Sequence, residues 1–119
     1  MSSDIWPTEL RLDPAKETLT VSFESGERFA LSAEYLRVES PSAEVQGHTA
    51  AQKKTVPGKR HVRIEGIEPV GNYAVRILFD DGHATGLYAW DYLYELGARH
   101  DEKWAAYLRA LRMAGLKRE

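Results

Sequence analysis

VRILFDDGHATGLYAWDYLYEL, residues 75–96 of this 119-residue chain, is the stretch of sequence that decides the fold. Its first half alternates apolar and polar residues, and the apolar positions are Val75, Ile77 and Phe79. This period of two is typical of a strand that buries one face. Asp81-Gly82 then predicts a hairpin turn, because glycine adopts a positive φ without a steric penalty. We expect the return strand at residues 84–87.

The aromatic run after this hairpin allows two interpretations. The residues that recur with the period of a strand are Tyr88, Trp90, Tyr92 and Tyr94. Trp90, Leu93 and Tyr94 would instead share one face of a helix. We favour a short helix, because a similar pattern earlier in the chain leads into a more helical sequence.

The earlier pattern is a second set of predicted strands near the N-terminus. Residues 8–12 and 18–23 alternate in hydrophobicity, and residues 28–31 follow the turn at Gly26. Gly26 and Gly82 are 56 residues apart, and the sequences around these two glycines superimpose. Ser32 is the predicted N-cap of a helix over residues 33–38, because its hydroxyl can accept a hydrogen bond from a first-turn N–H. The repetition fits either an internal duplication or two hairpins that arose independently.

The composition predicts one globular domain over residues 1–119. Hydrophobic residues make up 43% and charged residues 29%, as in ordinary globular proteins. No apolar run approaches the roughly 20 residues of a membrane helix, and the N-terminus does not resemble a secretory signal, so we expect a cytoplasmic protein. The absence of cysteine excludes disulfides and thiolate chemistry. A net charge of −2 gives no general attraction to nucleic acid or anionic lipid.

Residues 41–60 lack apolar periodicity and predict a long exposed loop. Loops longer than about 12–15 residues in a compact domain often carry function. The cations that form the predicted partner surface in this loop are Lys53, Lys54, Lys59 and Arg60. They indicate contact with an acidic protein or a phosphate, although a solvated loop would have the same composition. No aromatic residues interleave with these cations, so we do not expect nucleic-acid binding.

The C-terminal segment predicts an amphipathic helix over residues 101–114. Its apolar stripe consists of Trp104, Tyr107, Leu108 and Leu111. Asp101 and Glu102 lie at the predicted N-terminus, where the helix dipole favours negative charge. We expect the stripe to dock on the sheet, and the alternative is that it binds another chain.

Familiar hydrolytic motifs are absent from the sequence. The four histidines are His48, His61, His83 and His100, and no two of them are three or four residues apart. There is no H-E-x-x-H zinc motif and no G-x-S-x-G nucleophile motif. We therefore do not expect an enzyme.

Two segments resemble a known bacterial family. They are LRVESPSAEVQGH, residues 36–48, and PVGNYAVRILFDDGHATGLYAWDYLYELG, residues 69–97. Both are similar to a small family of unknown function related to the N-terminal domain of gamma-butyrobetaine hydroxylase, and the resemblance spans about residues 7–97. In hydroxylase-type members this domain precedes a separate oxygenase domain, and similar domains are fused to ATPases of iron–sulfur cluster assembly. The resemblance implies an α+β accessory module. Together with the patterns above, we expect small antiparallel or mixed β hairpins, short helices and the C-terminal amphipathic helix.

The resemblance also implies positions for a metal site. Hydroxylase-type members hold zinc with a Cys-x-Cys-x-x-Cys segment and one later histidine. These positions fall on Ser40, Ser42, Val45 and His83. We expect a domain that folds without a required cofactor, in which Ser40, Ser42 and His83 form a hydrogen-bonded contact between loop and hairpin.

The expected function is that of a non-catalytic accessory or binding module. Its partner would be a protein, linked to a metalloenzyme or an iron–sulfur cluster pathway, and neither nucleic acid nor a membrane. The alternative is weak zinc or iron binding by a mononuclear site of His83, His48 and Asp81, or Asp80 in place of Asp81, since imidazole and carboxylate suffice for these metals. The sequence leaves the oligomeric state open.

Overall fold

The computed structural model describes residues 5–47 and 49–119, which form an α+β fold. Within these residues six strands form two antiparallel sheets, and each sheet contains three strands in the order of the sequence. Short helices follow the sheets, and the longest helix is the C-terminal one. The predicted fold class is therefore confirmed. None of the helices in the described residues has the length and apolar character needed to cross a bilayer.

The first sheet contains β1 (Pro7–Leu12), β2 (Thr18–Phe23) and β3 (Arg28–Ser32). The middle strand buries alternate residues, namely Leu19, Val21 and Phe23. Helix α1 (Ala33–Val38) starts directly after β3. Ser32 Oγ accepts a hydrogen bond from Tyr35 N at 3.0 Å, which confirms the predicted N-cap.

The second sheet contains β4 (Ile64–Val70), β5 (Ala74–Phe79) and β6 (Leu87–Ala89). Helix α3 (Trp90–Ala98) starts directly after β6, so the aromatic run is helical from Trp90 onward. Gly82 has a φ of 90° in the turn after β5, the left-handed conformation that the Asp81-Gly82 pair predicts. Both sheets therefore share one plan, in which three sequential strands lead into a helix.

One core lies between the two halves of the chain. The first sheet contributes Leu19, Val21, Phe23 and Leu31, the second contributes Ile64, Val75, Ile77, Phe79 and Tyr88, and the helices contribute Tyr35, Leu36, Leu93 and Leu96. Two buried tyrosines join the halves through their hydroxyls. Tyr35 donates to the carbonyl of Leu96 at 2.7 Å, and Tyr88 donates to the carbonyl of Leu36 at 2.6 Å. These bonds satisfy hydroxyls that burial would otherwise leave unpaired.

The second hairpin differs from its prediction. Residues 84–86 are irregular, and the return strand is β6, which pairs with residues 74–76 of β5. One side chain of this segment bonds to the chain that follows α1: Thr85 Oγ1 donates to Glu44 Oε1 at 2.6 Å. Gly86 lies so close to that chain that a Cβ there would come within 2.5 Å of Ser40 Oγ. Residues 84–86 therefore contact the chain after α1 and do not form the expected return strand with β5.

The predicted exposed loop over residues 41–60 is also wrong in part. It contains helix α2 (Ala43–Gln46) and a 3-10 turn (Ala50–Gln52). Val45 is 2% exposed, and its burial in α2 anchors the segment to the domain. One buried valine in a polar stretch leaves no periodicity to detect.

Helix α4 (His100–Ala114) confirms the predicted C-terminal helix. Its apolar stripe packs against α1 rather than on the sheet, in a small cluster formed by Val38, Tyr107 and Leu111 with Val56, Trp104 and Leu108 at its edge. Trp104 also meets the ring of Tyr35 edge-on, with centroids 6.1 Å apart. The expected docking on the sheet is therefore wrong, since Tyr35 and Val38 of α1 provide the apolar surface for α4.

Candidate functional site

The loop that follows α1 meets the turn that follows β5 at the candidate site. Ser40 and Ser42 are held by the end of α1 and the start of α2, and they are 0% and 8% exposed. His83 lies in the turn, where its carbonyl accepts a hydrogen bond from Phe79 N at 3.0 Å. The hairpin therefore directs the His83 ring toward the two serines.

His83 contacts both serines through one ring nitrogen. Its Nε2 lies 2.9 Å from Ser40 Oγ and 3.3 Å from Ser42 Oγ. Its other nitrogen, Nδ1, lies 3.3 Å from Glu44 Oε1. The predicted contact among Ser40, Ser42 and His83 is thus present in the structure.

The environment of His83 favours a neutral ring. Burial lowers the pKa of His83, and the nearby positive charge of Arg37 lowers it further, against the opposing effects of Glu44 and Asp81. A carboxylate can only accept a hydrogen bond, so Glu44 favours the tautomer with the proton on Nδ1. Nε2 then accepts from the hydroxyl of Ser40.

Asp81 faces two cations. Its Oδ2 lies 2.8 Å from Arg37 Nε and 2.6 Å from Lys59 Nζ, while its Oδ1 accepts a hydrogen bond from the backbone N–H of His83 at 3.0 Å. Partial burial would raise the pKa of Asp81, but the hydrogen bonds from Lys59, the His83 backbone and Arg37 together lower it to about 2. The carboxylate is ionised and its oxygens are occupied by these donors.

These residues do not fit the zinc cage that the family resemblance implies. Ser40 and Ser42 offer neutral hydroxyls, and Val45 offers only hydrocarbon. Arg37 adds a positive charge, and its buried Nη1 has no hydrogen-bond partner among the described residues. Across residues 5–47 and 49–119, no group of three or more histidine, aspartate or glutamate side chains could hold a metal ion.

The alternative metal set of His83, His48 and Asp81 stays a prediction. Asp81 accepts a hydrogen bond from the backbone N–H of His83, but its carboxylate also forms ion pairs with Arg37 and Lys59. Asp80 accepts a hydrogen bond from Arg63 N at 3.0 Å through its own side chain. His48 lies outside the described residues.

The four cations of the predicted partner surface separate in the structure. Lys59 turns inward to Asp81 and its side chain is 22% exposed. Arg60 lies 3.7 Å from a carboxylate oxygen of Glu119. Lys53 and Lys54 line a cavity that contains neither Lys59 nor Arg60, and Lys53 Nζ contacts Glu39 Oε1 there at 2.7 Å. The four cations therefore belong to two separate surfaces and do not form one basic patch.

Lys53 and Lys54 border a concave surface, which we name the α4 groove. It encloses about 320 Å³ between residues 53–55 and α4. Its lining residues are Val38, Glu39, Lys53, Lys54, Thr55, Arg99, Glu102, Lys103, Ala106, Tyr107 and Ala110. The side chain of Glu39 is only 3% exposed, so its carboxylate lies within the wall beside Lys53.

Sequence reasoning missed the charged residues of α1 and the C-terminal tail. Glu34 is 6% exposed and receives two hydrogen bonds from Arg118, at 2.9 and 2.6 Å. Arg37 pairs with Asp81, which is 44 residues away in the chain. No local pattern indicates such distant partners. The one available signal was the presence of both charges within a six-residue helix that is otherwise mostly apolar.

Comparison with known proteins gives a family and several similar structures. The family model described as gamma-butyrobetaine hydroxylase-like, N-terminal, matches residues 10–94. Two solution structures determined by NMR are each 47% identical to the chain. One has a TM-score of 0.83 and covers 97% of this chain and 90% of its own, and the other has a TM-score of 0.85 and covers 100% and 89%.

A crystal structure from Acidithiobacillus ferrooxidans is also similar. It is a protein of unknown function in the DUF971 family, 39% identical, with a TM-score of 0.64 over 77% of this chain and 92% of its own. No curated protein matches the chain.

Proposed function

Because this chain belongs to the gamma-butyrobetaine hydroxylase-like N-terminal family, we propose that it is a non-catalytic binding module for a protein partner. Its role would be accessory to a metalloenzyme or to an iron–sulfur cluster pathway. The family is described as hydroxylase-like and N-terminal, and the proposal extends this chemical context to the chain.

The α4 groove is the observation that carries the proposal. It is concave, it has an apolar floor, and exposed charged side chains surround it. Docking surfaces for proteins combine an apolar centre with a polar rim in this way. The cluster of Ser40, Ser42 and His83 does not favour a catalytic role. The two serines are buried, and their hydroxyls bond to each other and to the His83 ring.

The test is affinity capture from a lysate of the source organism, followed by reconstitution of each captured complex from purified components. We expect a stoichiometric complex, measurable by calorimetry, with a metalloenzyme or with a protein that handles iron–sulfur clusters. Failure to reconstitute a complex with any captured protein would contradict the proposal.

A mononuclear metal site at His83 is the alternative function. One observation favours it: His83 Nδ1 and Glu44 Oε1 lie 3.3 Å apart, and both residues line an open cavity of about 410 Å³. Arg37 and Lys59 oppose it, since both carry positive charge close to His83.

Titration of untagged protein with zinc and with ferrous iron separates the two functions. On the binding-module proposal we expect no saturable binding in the micromolar range or tighter and no increase in melting temperature. Saturable binding that shifts the imidazole resonances of His83 and raises the melting temperature would favour the metal site.

A further inference from the structure

The floor of the α4 groove can accept an apolar side chain. Val38 and Tyr107 are 1% and 6% exposed and form its base, and Ala106 and Ala110 of α4 line it with methyl groups only. Small residues on one wall leave the volume of about 320 Å³ open. This volume lies within the range of protein pockets that bind ligands.

The rim of the groove carries an excess of positive charge. Four cations, Lys53, Lys54, Arg99 and Lys103, meet the carboxylates of Glu39, Glu95 and Glu102. The ion pairs involve Lys53 with Glu39, Arg99 with Glu95 and Glu102, and Lys103 with Glu95. Lys54 has no ion-pair partner among the described residues. Its ammonium group is therefore available to an acidic ligand.

Residues beyond the family match build one entire wall of the groove. The match ends at residue 94, whereas the wall is formed by Arg99 and by residues 102–110 of α4. The opposite wall, residues 53–55, is held by α2, because Lys54 N donates to the carbonyl of Val45 at 2.7 Å. The groove thus depends on Arg99 and on the helix that follows the matched region.

We infer that the α4 groove binds an acidic segment of a partner protein, with an aliphatic side chain on its floor and flanking carboxylates at Lys54 and its neighbouring cations. This inference rests on the proposed function and names the chemistry of the partner. Charge complementarity favours acidic segments, because the unpaired cation is at the rim. Single-stranded nucleic acid is less suited, since Tyr107, the aromatic side chain among the described residues that line the groove, is buried and offers no face for base stacking.

The experiment is selection of dodecapeptides from an unbiased displayed library against the folded protein. We expect selected peptides to carry aspartate or glutamate on both sides of an aliphatic residue and to bind with micromolar affinity. Amide shifts on binding should map to residues 53–55 and 102–110. Selection of peptides without carboxylates, or shifts confined to another surface, would overturn the inference.

Three variants sharpen this test. Lys54→Glu should weaken peptide binding about tenfold or more, because it places a negative charge at the rim without breaking an ion pair. Ala106→Gln should weaken binding, because a larger side chain on the α4 wall would occupy the groove while still suiting a helix. Arg28→Glu makes the same change in net charge at an exposed position of β3, away from the groove, and should leave affinity unchanged.

Equal loss of peptide affinity in Lys54→Glu and Arg28→Glu would overturn the inference, as would binding of a single-stranded DNA oligonucleotide in place of peptides.

The captured partner distinguishes this inference from the proposed function. A reconstituted complex that Lys54→Glu and Ala106→Gln leave unchanged would retain the binding-module proposal and reject the groove as its site. Absence of any reconstituted partner together with absence of selected peptides would reject both.

Discussion

Asp81 shows how a single turn residue joins three parts of the chain. Its carboxylate contacts Arg37 of α1 and Lys59 of the long loop, while the same group accepts the backbone N–H of His83. A lowered pKa means that the folded state holds fewer protons than the unfolded state at acidic pH. The stabilisation is therefore present above the usual pKa of 3.8 and is lost as the pH falls toward about 2.

We predict that Asp81→Asn lowers the free energy of unfolding at neutral pH by about 2 kcal/mol, the equivalent of the pKa shift. Urea unfolding between neutral pH and pH 2 measures this loss. Glu65→Gln, at an exposed position, is the matched control. If the variant and the wild type lost stability in parallel over the acidic range, the role assigned to Asp81 would be wrong.

Phe79 is 2% exposed at the end of β5, on the face that the alternating pattern identifies as buried. We predict that Phe79→Ala costs about 3–5 kcal/mol of stability, because it removes a large side chain from a closed core. Tyr73→Ala, at a position that is 55% exposed, should change stability by less than about 0.5 kcal/mol. Thermal unfolding of both variants is the measurement, and an unchanged melting temperature for Phe79→Ala would contradict the assignment.

Residues of the core were predictable where the pattern was local. Val75, Ile77 and Phe79 are all buried, as their alternation indicated. Trp90, the first residue of α3, is only partly buried, with its Nε1 donating to the carbonyl of Asn72 at 2.9 Å. An indole N–H needs a hydrogen-bond partner, which is available here at the edge of the domain.

At the scale of elements, the sequence predicted what neighbouring residues determine. Residues 18–23 and 33–38 form the strand and the helix with the expected bounds, because alternation and an N-cap are local signals. The return strand moved to Leu87–Ala89, because residues 83–86 contact a segment that is about 40 residues earlier in the chain. The candidate site could be anticipated at Ser40, Ser42 and His83 through family resemblance, whereas Glu44 and Arg37 could not.

Gly86 is the residue on which this displaced strand depends. We predict that Gly86→Ala destabilises the protein by about 1–3 kcal/mol, because its Cβ would meet Ser40 Oγ, Pro41 Cδ and Tyr88 Cε1. The imidazole resonances of His83 should shift as Ser40 moves. Gly66→Ala is the control, since no atom lies within 4 Å of a Cβ there. Similar stability of the two variants would show that Gly86 is not closely packed against Ser40 and Pro41.

For the whole molecule, the ion pair of Glu34 and Arg118 joins the C-terminal tail to α1, 84 residues earlier in the chain. Arg118 also lies over the ring of Trp104, 5.3 Å from its centroid, and so connects the tail to both α1 and α4. Glu34 is buried, whereas the side chain of Arg118 is 35% exposed, and this partial solvation moderates the strength of the pair.

We predict that Arg118→Ala costs about 1–3 kcal/mol, because it leaves a buried carboxylate without its donors. Arg109→Ala removes the same charge at an exposed position of α4 and should be close to neutral. Denaturant unfolding gives the comparison, and hydrogen exchange at residues 58–60 should rise only in the Arg118 variant. Equal effects of the two substitutions would mean that the pair of Glu34 and Arg118 does not stabilise the fold.

The shared plan of the two sheets has a consequence for the order in which the protein folds. Strand neighbours in each sheet are also neighbours in sequence, so both sheets have low contact order and a small entropic cost of loop closure. The common core, by contrast, requires residues from both halves of the chain. On the ribosome the first sheet and α1 would emerge with most of their apolar surface uncovered, until β5 and α3 arrive to complete the core. We expect nascent chains that end before residue 62 to be held by chaperones, and longer chains that include α3 to be released.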